Sequence, residues 1–384
     1  MDDRDVVIVE AVRTPIGRRN GSLAGWHPVD LVAHTLKEVV NRAGVDSSVV
    51  QDVVMGCVMQ RGEQALNIGR NAVLAAGFPY TIPGTTVDRQ CGSAQQAIHF
   101  AANLIQADVV DCAIGGGVEV MTRHPLMSNM TEGGVPYTEA MTDQYDLTDQ
   151  GTAADNIART WNITREQVDQ YGYESHMKAS RAREDGNFDA ETVPVEFEKE
   201  GVKGVLTRDE GPRPDTTVEK LATLQPAFGG VHTAGNSSQI SDGAAAVLLM
   251  SAKKAKDLGL RARARIVAQA VVGSDPELML TGPITATPAV LDRAGLKLSD
   301  MDLIEINEAF ASVVLAWQKE LDPDMSKVNV NGGAIGLGHP VGMTGARLMA
   351  TLLHSLERTG GRYGHEVMCC GGGIGTATII ERLD

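Results

Sequence analysis

The chain has 384 residues, 43% of them hydrophobic and 22% charged, which is the composition of an ordinary globular protein. Its formal net charge of −15 at pH 7 argues against nonspecific binding to nucleic acid or to an anionic membrane surface. No run of about 18 apolar residues occurs, and the start MDDRD leads directly into a predicted strand, so we expect neither a membrane span nor a secretory signal. The five cysteines lack paired zinc-site spacing, which predicts free thiols in a reducing, cytoplasmic compartment.

The N-terminal part alternates predicted strands with predicted helices. The apolar patterns predict strands at residues 5–12, 53–59 and 108–121, helices at 27–44 and 67–77, and a strand–helix unit around Cys91. This alternation predicts parallel strand pairing with helices that cover the sheet.

The middle of the chain, residues 121–238, is more polar, with a predicted helix in residues 164–186. It is interpreted as a long insertion from the first half, suited to covering a ligand. The predicted domains are therefore residues 1–120 with 239–262, the insertion 121–238, and residues 263–384.

The C-terminal part repeats the same order of elements. Strands are predicted at residues 264–273 and 302–310, helices at 287–296, 311–321 and 342–360, and a closing strand segment at 366–383. The glycine-rich segments that begin at Cys112 and Cys369 resemble each other, so we predict an internal duplication of one layered α/β unit. Chance similarity of two glycine-rich strands is the alternative.

Cys91 lies where a predicted strand, ending at Val87, turns into a helix. A helix N-terminus favours the thiolate and can lower the pKa of a cysteine below its free value of about 8.5. Gly92 would let a substrate approach the backbone closely. An inert buried thiol, as expected for Cys57 and Cys112 within strands, is the alternative, and this segment alone leaves both open.

His339 lies in a glycine-rich turn, NGGAIGLGHPVGMTGAR, ahead of a predicted helix. So many glycines indicate a backbone that passes close to another group. The imidazole could deprotonate a thiol or donate a hydrogen bond to an oxyanion. A phosphate-binding loop is the rival interpretation, but neither Gly-Lys-Ser/Thr nor GxGxxG is present.

Two further segments end predicted strands. In EINEAF, Asn307 and Glu308 could hold a water molecule, orient the imidazole or cap the next helix, and capping is favoured for Asn307 taken alone. In MCCGGGIG, Cys369 or Cys370 precedes three glycines, and a second thiol near the first could donate and accept protons. Because α/β folds bind ligands at strand ends, we expect these residues to meet at one site.

Five stretches together resemble the signature regions of the thiolases, the acyl-CoA:acetyl-CoA C-acyltransferases. They are VDRQCGSAQQA, HTAGNSSQISDGAAAVLLMS, NEAFA, NGGAIGLGHPVGMTGAR and CCGGGIGTATI, and they occur in the family's order over the whole chain. The resemblance implies an α/β thiolase fold, with duplicated αβαβα layered halves and an inserted loop domain. Several stretches look most similar to actinobacterial degradative thiolases, including ones that act on sterol side chains.

The resemblance also implies residue roles. Cys91 matches the nucleophile that takes the acyl group, and His339 matches the residue that activates this thiol and lends an N–H to an oxyanion hole. Asn307 matches the asparagine that holds the water completing that hole. Cys369 matches the second catalytic cysteine, and the N–H of Gly371, with that of Cys91, matches the second oxyanion hole.

Substrate-binding residues follow in the same way. Ser238 and Arg213 match positions that contact coenzyme A, whose phosphates need cations in an acidic chain. The other basic residues of this region are Lys203, Arg208 and Lys220.

Gln150 and Phe310 are expected in the acyl pocket. Gln150 stands where acetoacetyl-CoA-forming thiolases commonly carry methionine, and the segment PAFGGVHTAGN is shorter than in those members. Both differences predict a different and wider acyl pocket.

The implied activity is CoA-dependent cleavage of a 3-ketoacyl-CoA to acetyl-CoA and a shortened acyl-CoA, by a ping-pong acyl-cysteine mechanism. Coenzyme A would be a substrate, no metal or tightly bound cofactor is expected, and the partner would be a second copy of the chain in a homodimer or homotetramer. A biosynthetic acetyl-CoA acetyltransferase and a non-catalytic acyl-CoA-binding scaffold are the alternatives. Ketoacyl synthases lack the second cysteine, the lipid-carrier-associated branch departs from NEAF, and scaffolds usually lose one of the four residues.

Overall fold

A computed structural model describes residues 2–130 and 134–384. Residues 131–133, part of the predicted insertion, lie outside the described residues, as does Met1. No helix in the described parts of the chain is long and apolar enough to cross a membrane.

The first half builds its strands and helices in alternation. They are β1 (Val6–Arg13), β2 (Gly17–Arg18), α1 (Pro28–Ala43), β3 (Asp52–Gly56), α2 (Ile68–Ala75), β4 (Gly84–Val87), α3 (Ser93–Gln106) and β5 (Cys112–Val120). The insertion follows and holds α4 (Glu139–Thr142), α5 (Gln150–Thr160), α6 (Arg165–Glu184), β6 (Val195–Lys199), β7 (Val202–Leu206) and α7 (Val218–Ala222). The chain then returns to the first half with β8 (Ser241–Ser251) and α8 (Ala252–Asp257).

The second half repeats this alternation. Its elements are β9 (Ala264–Gly273), α9 (Gly282–Ala294), β10 (Leu303–Ile306), α10 (Ala311–Leu321), α11 (Ala334–Leu337), α12 (Thr344–Thr359), β11 (Tyr363–Cys370) and β12 (Ile374–Arg382). The sequence predicted β9 and α10 with the observed limits. Helix α9 begins five residues before its predicted start.

Strand order shows the duplication. The first half runs β4-β3-β5-β8-β1 and the second β10-β11-β12-β9, and in each half a parallel pair is followed by antiparallel neighbours. In the second half, a parallel bridge between Ile304 and Val328 corresponds to the pairing of β4 with β3 in the first half. A short antiparallel ladder between β1 and β9 joins the two sheets at one edge. The predicted duplication is therefore confirmed.

The residue match proposed within that duplication is wrong. Strand β5 begins at Cys112 and contains the glycines at 115–117, whereas β11 ends at Cys370 and the glycines at 371–373 form the turn to β12. The two cysteine–glycine segments thus occupy opposite ends of equivalent strands. Cys57, predicted within a strand, lies just beyond the end of β3.

The side chains of each sheet alternate between two faces and form separate cores. Val7 and Val9 of β1 face a core with α1 and α2, while Ile8 and Ala11 face a second core with α3 and α12. The opposite face of the second sheet packs against α9 and α10, together with α5 and α6 of the insertion. Helices α3 and α12 therefore lie between two sheets, in the predicted αβαβα order, and the insertion covers the second half.

Candidate active site

One cavity of about 590 Å³ collects most of the predicted site residues. It is lined by residues from the end of β2 and the position after it, the insertion, the segment just before β8 and the loops before α10 and α12. The predicted residues among them are Gln150, Arg213, Ser238, Phe310 and His339. The remaining predicted groups, Cys91, Asn307, Cys369 and Gly371, are buried beside it.

Cys91 lies in a tight turn between β4 and α3. The turn is closed by hydrogen bonds from the Gly92 and Ser93 N–H groups to the Arg89 and Gln90 carbonyls, with Gln90 in the left-handed region at φ 50°. The cysteine is 3% exposed. It packs in an apolar cluster whose members Met121 and Val341 also line the cavity.

Burial raises the pKa of the Cys91 thiol well above its usual range, and the neighbouring thiols Cys369 and Cys370 raise it further. The backbone N–H groups of Gly371 and Cys91 act in the opposite direction, but more weakly. The expectation of a lowered pKa at the helix N-terminus is therefore wrong for the free protein, because desolvation outweighs the helix dipole. Both predicted N–H groups of the second oxyanion hole are nevertheless near enough to the Cys91 sulfur to lower its pKa.

Gly92 is required by the protein's own packing. A Cβ atom there would lie 2.7 Å from the Cys370 sulfur and 2.9 Å from the Thr376 hydroxyl. This packing explains the glycine by itself, and the close approach of a substrate to the backbone stays a prediction.

Cys369 is held by a polar partner at the end of β11. The Asn307 side-chain amide donates to the Cys369 sulfur at 3.6 Å, and both residues are fully buried. Burial raises the pKa of Cys369 to about 11, and the hydrogen bond from Asn307 lowers it in part. The side-chain oxygen of Asn307, Oδ1, has no partner among the described residues and remains able to accept a hydrogen bond.

The alternative roles considered for this segment are not observed. Helix α10 has Phe310 at its N-cap and no side-chain cap, so Asn307 does not cap it. The Glu308 carboxylate accepts hydrogen bonds from Tyr171, Ser175, Asn329 and Ile335. Glu308 therefore fastens the glycine-rich loop to α6, and it does not orient the imidazole.

Thr344 orients the imidazole of His339. The threonine hydroxyl donates to the Pro340 carbonyl at 2.8 Å and lies 2.6 Å from the His339 Nδ1. Because the hydroxyl proton is directed to Pro340, the threonine oxygen accepts from Nδ1–H. The Nε2 atom then carries the lone pair, and it is buried without a partner in the described parts of the chain. No pattern in the sequence indicated this pairing.

His339 is therefore neutral in the free protein. Burial lowers its pKa to about 3, and the positive charge of Arg347 lowers it further. Its left-handed neighbour Gly338, at φ 117°, packs against Ser241, where a Cβ would lie 2.4 Å from the hydroxyl oxygen. The predicted close approach in this turn is thus made to other parts of the protein.

The two residues predicted for the acyl pocket, Gln150 and Phe310, both line the cavity. The Gln150 side-chain amide lies 3.1 Å from the point where a Cβ of Gly371 would stand. Phe310 packs edge to face against Phe228 and His232, with ring centroids 5.9 Å and 5.3 Å apart. Gln150 is thus a polar group in a largely aromatic and aliphatic wall.

The basic residues divide differently from the prediction. Lys203 and Arg208 lie near Glu198 and Glu184, and Lys220 pairs with Asp215, so these three do not line the cavity. Arg213 does, and so do Arg18 and Arg19, which sequence reasoning missed. Ser238 is fixed by its N–H, which donates to the Ala309 carbonyl at 2.9 Å.

Comparison with known proteins agrees with this geometry. Residues 6–253 match the family model described as thiolase, N-terminal domain, and residues 260–382 match that of the thiolase C-terminal domain. A steroid 3-ketoacyl-CoA thiolase, FadA6, of Mycobacterium tuberculosis is 48% identical, over 99% of this chain and 94% of that protein. A 3-ketoacyl-CoA thiolase of Bacillus subtilis is 43% identical, over 98% of this chain and 99% of that protein.

Solved structures are similar over the same length. The Bacillus anthracis acetyl-CoA acetyltransferase superposes with a TM-score of 0.91 at 44% identity, covering 99% of both chains. Human mitochondrial 3-ketoacyl-CoA thiolase superposes with a TM-score of 0.90 at 38% identity, covering 99% of this chain and all of that one.

Proposed function

The chain belongs to the thiolase family, and on that premise we propose that it catalyses CoA-dependent cleavage of a 3-ketoacyl-CoA to acetyl-CoA and a shortened acyl-CoA. The observation that carries the proposal is the arrangement of two buried thiols. The Cys91 sulfur faces two backbone N–H groups, and the Cys369 sulfur, held by Asn307, is close enough to raise the pKa of Cys91.

The first half-reaction makes the acyl-enzyme. The Cys91 sulfur attacks the keto carbon while His339 Nε2 takes the thiol proton. In the free site both groups are neutral, so the proton moves as charge develops on the keto oxygen. The bond between the keto carbon and the α-carbon breaks, and Cys369 gives its proton to the α-carbon of the departing acetyl-CoA.

The second half-reaction returns the site to its starting state. The Cys369 thiolate takes the proton of coenzyme A, whose sulfur attacks the acyl group on Cys91. The Cys91 sulfur leaves and recovers its proton from His339. In this step the N–H groups of Gly371 and Cys91 would bind the acyl oxygen, as expected of donors that stabilise developing charge.

His339 serves twice in this scheme. With Nδ1–H held by Thr344, Nε2 accepts the thiol proton, and the resulting Nε2–H becomes a donor for an oxyanion. The unpaired side-chain oxygen of Asn307 supports the proposed role of this residue, which is to hold a water molecule beside the same oxyanion.

We infer an acyl group larger than acetyl as the substrate class. Gln150 and Phe310 line a cavity of about 590 Å³, and Gln150 stands where acetoacetyl-CoA-forming thiolases commonly carry methionine. The similarity to a steroid 3-ketoacyl-CoA thiolase favours bulky acyl groups. The reverse reaction, acetoacetyl-CoA synthesis, is the second candidate, because an acetyl-CoA acetyltransferase is similar over the whole chain.

The first test is thiolysis of acetoacetyl-CoA, a medium-chain and a sterol-side-chain 3-ketoacyl-CoA. Cys91→Ala is expected to abolish turnover of every substrate, and Cys112→Ala, the same change at a buried cysteine of β5, serves as the matched control. Preference for the larger substrates supports the degradative proposal, and preference for acetoacetyl-CoA supports the second candidate. Absence of Cys91-dependent turnover would leave a non-catalytic acyl-CoA-binding protein.

A further inference from the structure

The side chains of four arginines form no hydrogen bond or ion pair with another of the described residues. They are Arg18, Arg19, Arg181 and Arg213. Three of the four, Arg18, Arg19 and Arg213, line the active-site cavity. In a chain of net charge −15, cations usually find carboxylates, so three free guanidinium groups around one cavity require an explanation.

The backbone that carries Arg18 and Arg19 is firmly held. Gly17 and Arg18 form β2, which pairs with the start of β8. The Ile16 N–H donates to Asp209 at 2.7 Å, and the Asn20 N–H donates to the Thr122 hydroxyl at 3.0 Å. The exposed and unpaired side chains therefore project from a fixed base.

The Glu210 carboxylate, which contacts the Arg18 backbone, forms no ion pair with the Arg18 or Arg19 side chain. Glu210 accepts hydrogen bonds from the Arg18 backbone N–H and from the Ser22 N–H and hydroxyl. It packs tightly against Gly21, where a Cβ would lie 2.1 Å from a carboxylate oxygen. Glu210 therefore fastens the loop through its main chain, and the arginine side chains remain free.

We propose that Arg18 and Arg19 form, with Arg213, an anion-binding cluster at the opening of the active-site cavity that holds an anionic group of the substrate. The inference rests on the proposed function and adds two binding residues to it. Guanidinium groups bind phosphate and carboxylate oxygens by paired N–H donors. Both anions are chemically possible here, as a phosphate of the coenzyme A half or a carboxylate on the acyl half.

The test compares the double variant Arg18→Gln/Arg19→Gln with Arg181→Gln, which changes the fourth unpaired arginine, exposed on α6 and outside the cavity. The KM for a 3-ketoacyl thioester is measured with four substrates. They combine a coenzyme A or a pantetheine thiol half with an acyl chain that ends in a methyl group or a carboxylate.

The double variant is expected to raise KM about tenfold, with kcat nearly unchanged, for substrates that carry the recognised anion. A rise confined to coenzyme A thioesters identifies phosphate, and a rise confined to carboxylate-ended acyl chains identifies carboxylate. In the native enzyme the same KM should rise with ionic strength.

An unchanged KM, or an equal rise with all four substrates, would overturn the proposal. So would an equal effect of Arg181→Gln. In each of these cases Cys91-dependent turnover would persist, so a failure of the anion cluster is distinguishable from a failure of the proposed activity.

Discussion

The two thiols of the site come from corresponding halves of a duplicated fold, yet their surroundings differ. Cys91 lies outside regular structure, ahead of α3, among apolar side chains and facing backbone N–H groups. Cys369 is the penultimate residue of β11 and has a side-chain partner, Asn307, 3.6 Å away. The topology is repeated, but the two cysteines lie at the ends of strands that are not equivalent, β4 and β11.

The different surroundings suit the two thiols to different chemical roles. A sulfur that faces N–H groups is suited to carry an acyl group whose oxygen those groups bind. A sulfur that accepts a hydrogen bond from an amide is partly stabilised as a thiolate, as a proton donor and acceptor needs to be. Burial raises the pKa of Cys369 to about 11 even with this help, and burial also raises the pKa of Cys91 well above its usual range.

The largest difference between the two thiols is expected when thiolysis and acylation of Cys91 are measured separately. Cys369→Ala is expected to reduce thiolysis about 10²- to 10⁴-fold, the loss typical of a general acid–base group. An aryl thioester, whose thiolate leaves without a proton, should still acylate Cys91 of this variant and release one equivalent of arylthiolate. Stopped-flow absorbance measures that burst, and mass spectrometry locates the acyl group.

The control for this experiment is the adjacent residue. Cys370→Ala makes the same change one position along β11, in a thiol that faces Gly92 and Thr376. It should retain far more thiolysis than Cys369→Ala. Equal losses in the two variants would contradict the assignment of Cys369, and a missing burst in Cys369→Ala would show that the two thiols do not divide the reaction.

A smaller effect tests the contact that distinguishes Cys369. Asn307→Ala removes a hydrogen bond that lowers the pKa of the Cys369 thiol, so that pKa should rise further above its value of about 11. The thiolate is the base, and its fraction at a given pH falls as the pKa rises. We expect α-proton exchange of acetyl-CoA in D2O, followed by NMR, to slow about 10²-fold and its rise with pH to shift upward.

The variant Asn307→Asp sharpens this result. It keeps the size of the side chain but replaces the N–H donor with a carboxylate, which repels a thiolate. The rise of α-proton exchange with pH should occur in Asn307→Asp at a pH at least as high as in Asn307→Ala. A profile that stays in the native position in both variants would show that the amide does not tune Cys369.

Much of this site could be predicted because its parts are local. Helical spacing after Val87 located Cys91 at a strand–helix turn, and the end of a β-strand located Asn307. The direction of the Cys91 pKa shift could not be predicted in this way. It depends on burial by Met121, Val341 and other distant residues, which outweighs the local helix dipole.

Contacts across long chain distances explain the other omissions. Arg18 reaches the cavity because β2 pairs with the start of β8, more than 200 residues later. Three other cations lie closer in sequence to the predicted coenzyme A site, but each forms an ion pair with a nearby carboxylate. They are Lys203, Arg208 and Lys220. Proximity in sequence therefore selected cations that do not line the cavity.

The smallest of these effects concerns the tautomer of His339. Thr344→Val removes the hydroxyl that accepts from Nδ1–H, so the ring is free to carry its proton on Nε2, where it cannot take the Cys91 proton. We expect acylation of Cys91 to slow about tenfold with KM little changed, and Thr344→Ser, which restores the hydroxyl, to recover most of the rate.

The α-proton exchange assay provides a control for this prediction. Exchange of acetyl-CoA α-protons depends on Cys369, so Thr344→Val should slow it much less than it slows Cys91 acylation. A loss that is equal in both assays would indicate general damage to the site. A loss in acylation alone, rescued by serine, would show that the Thr344 hydroxyl prepares the imidazole for one thiol and leaves the other to Asn307.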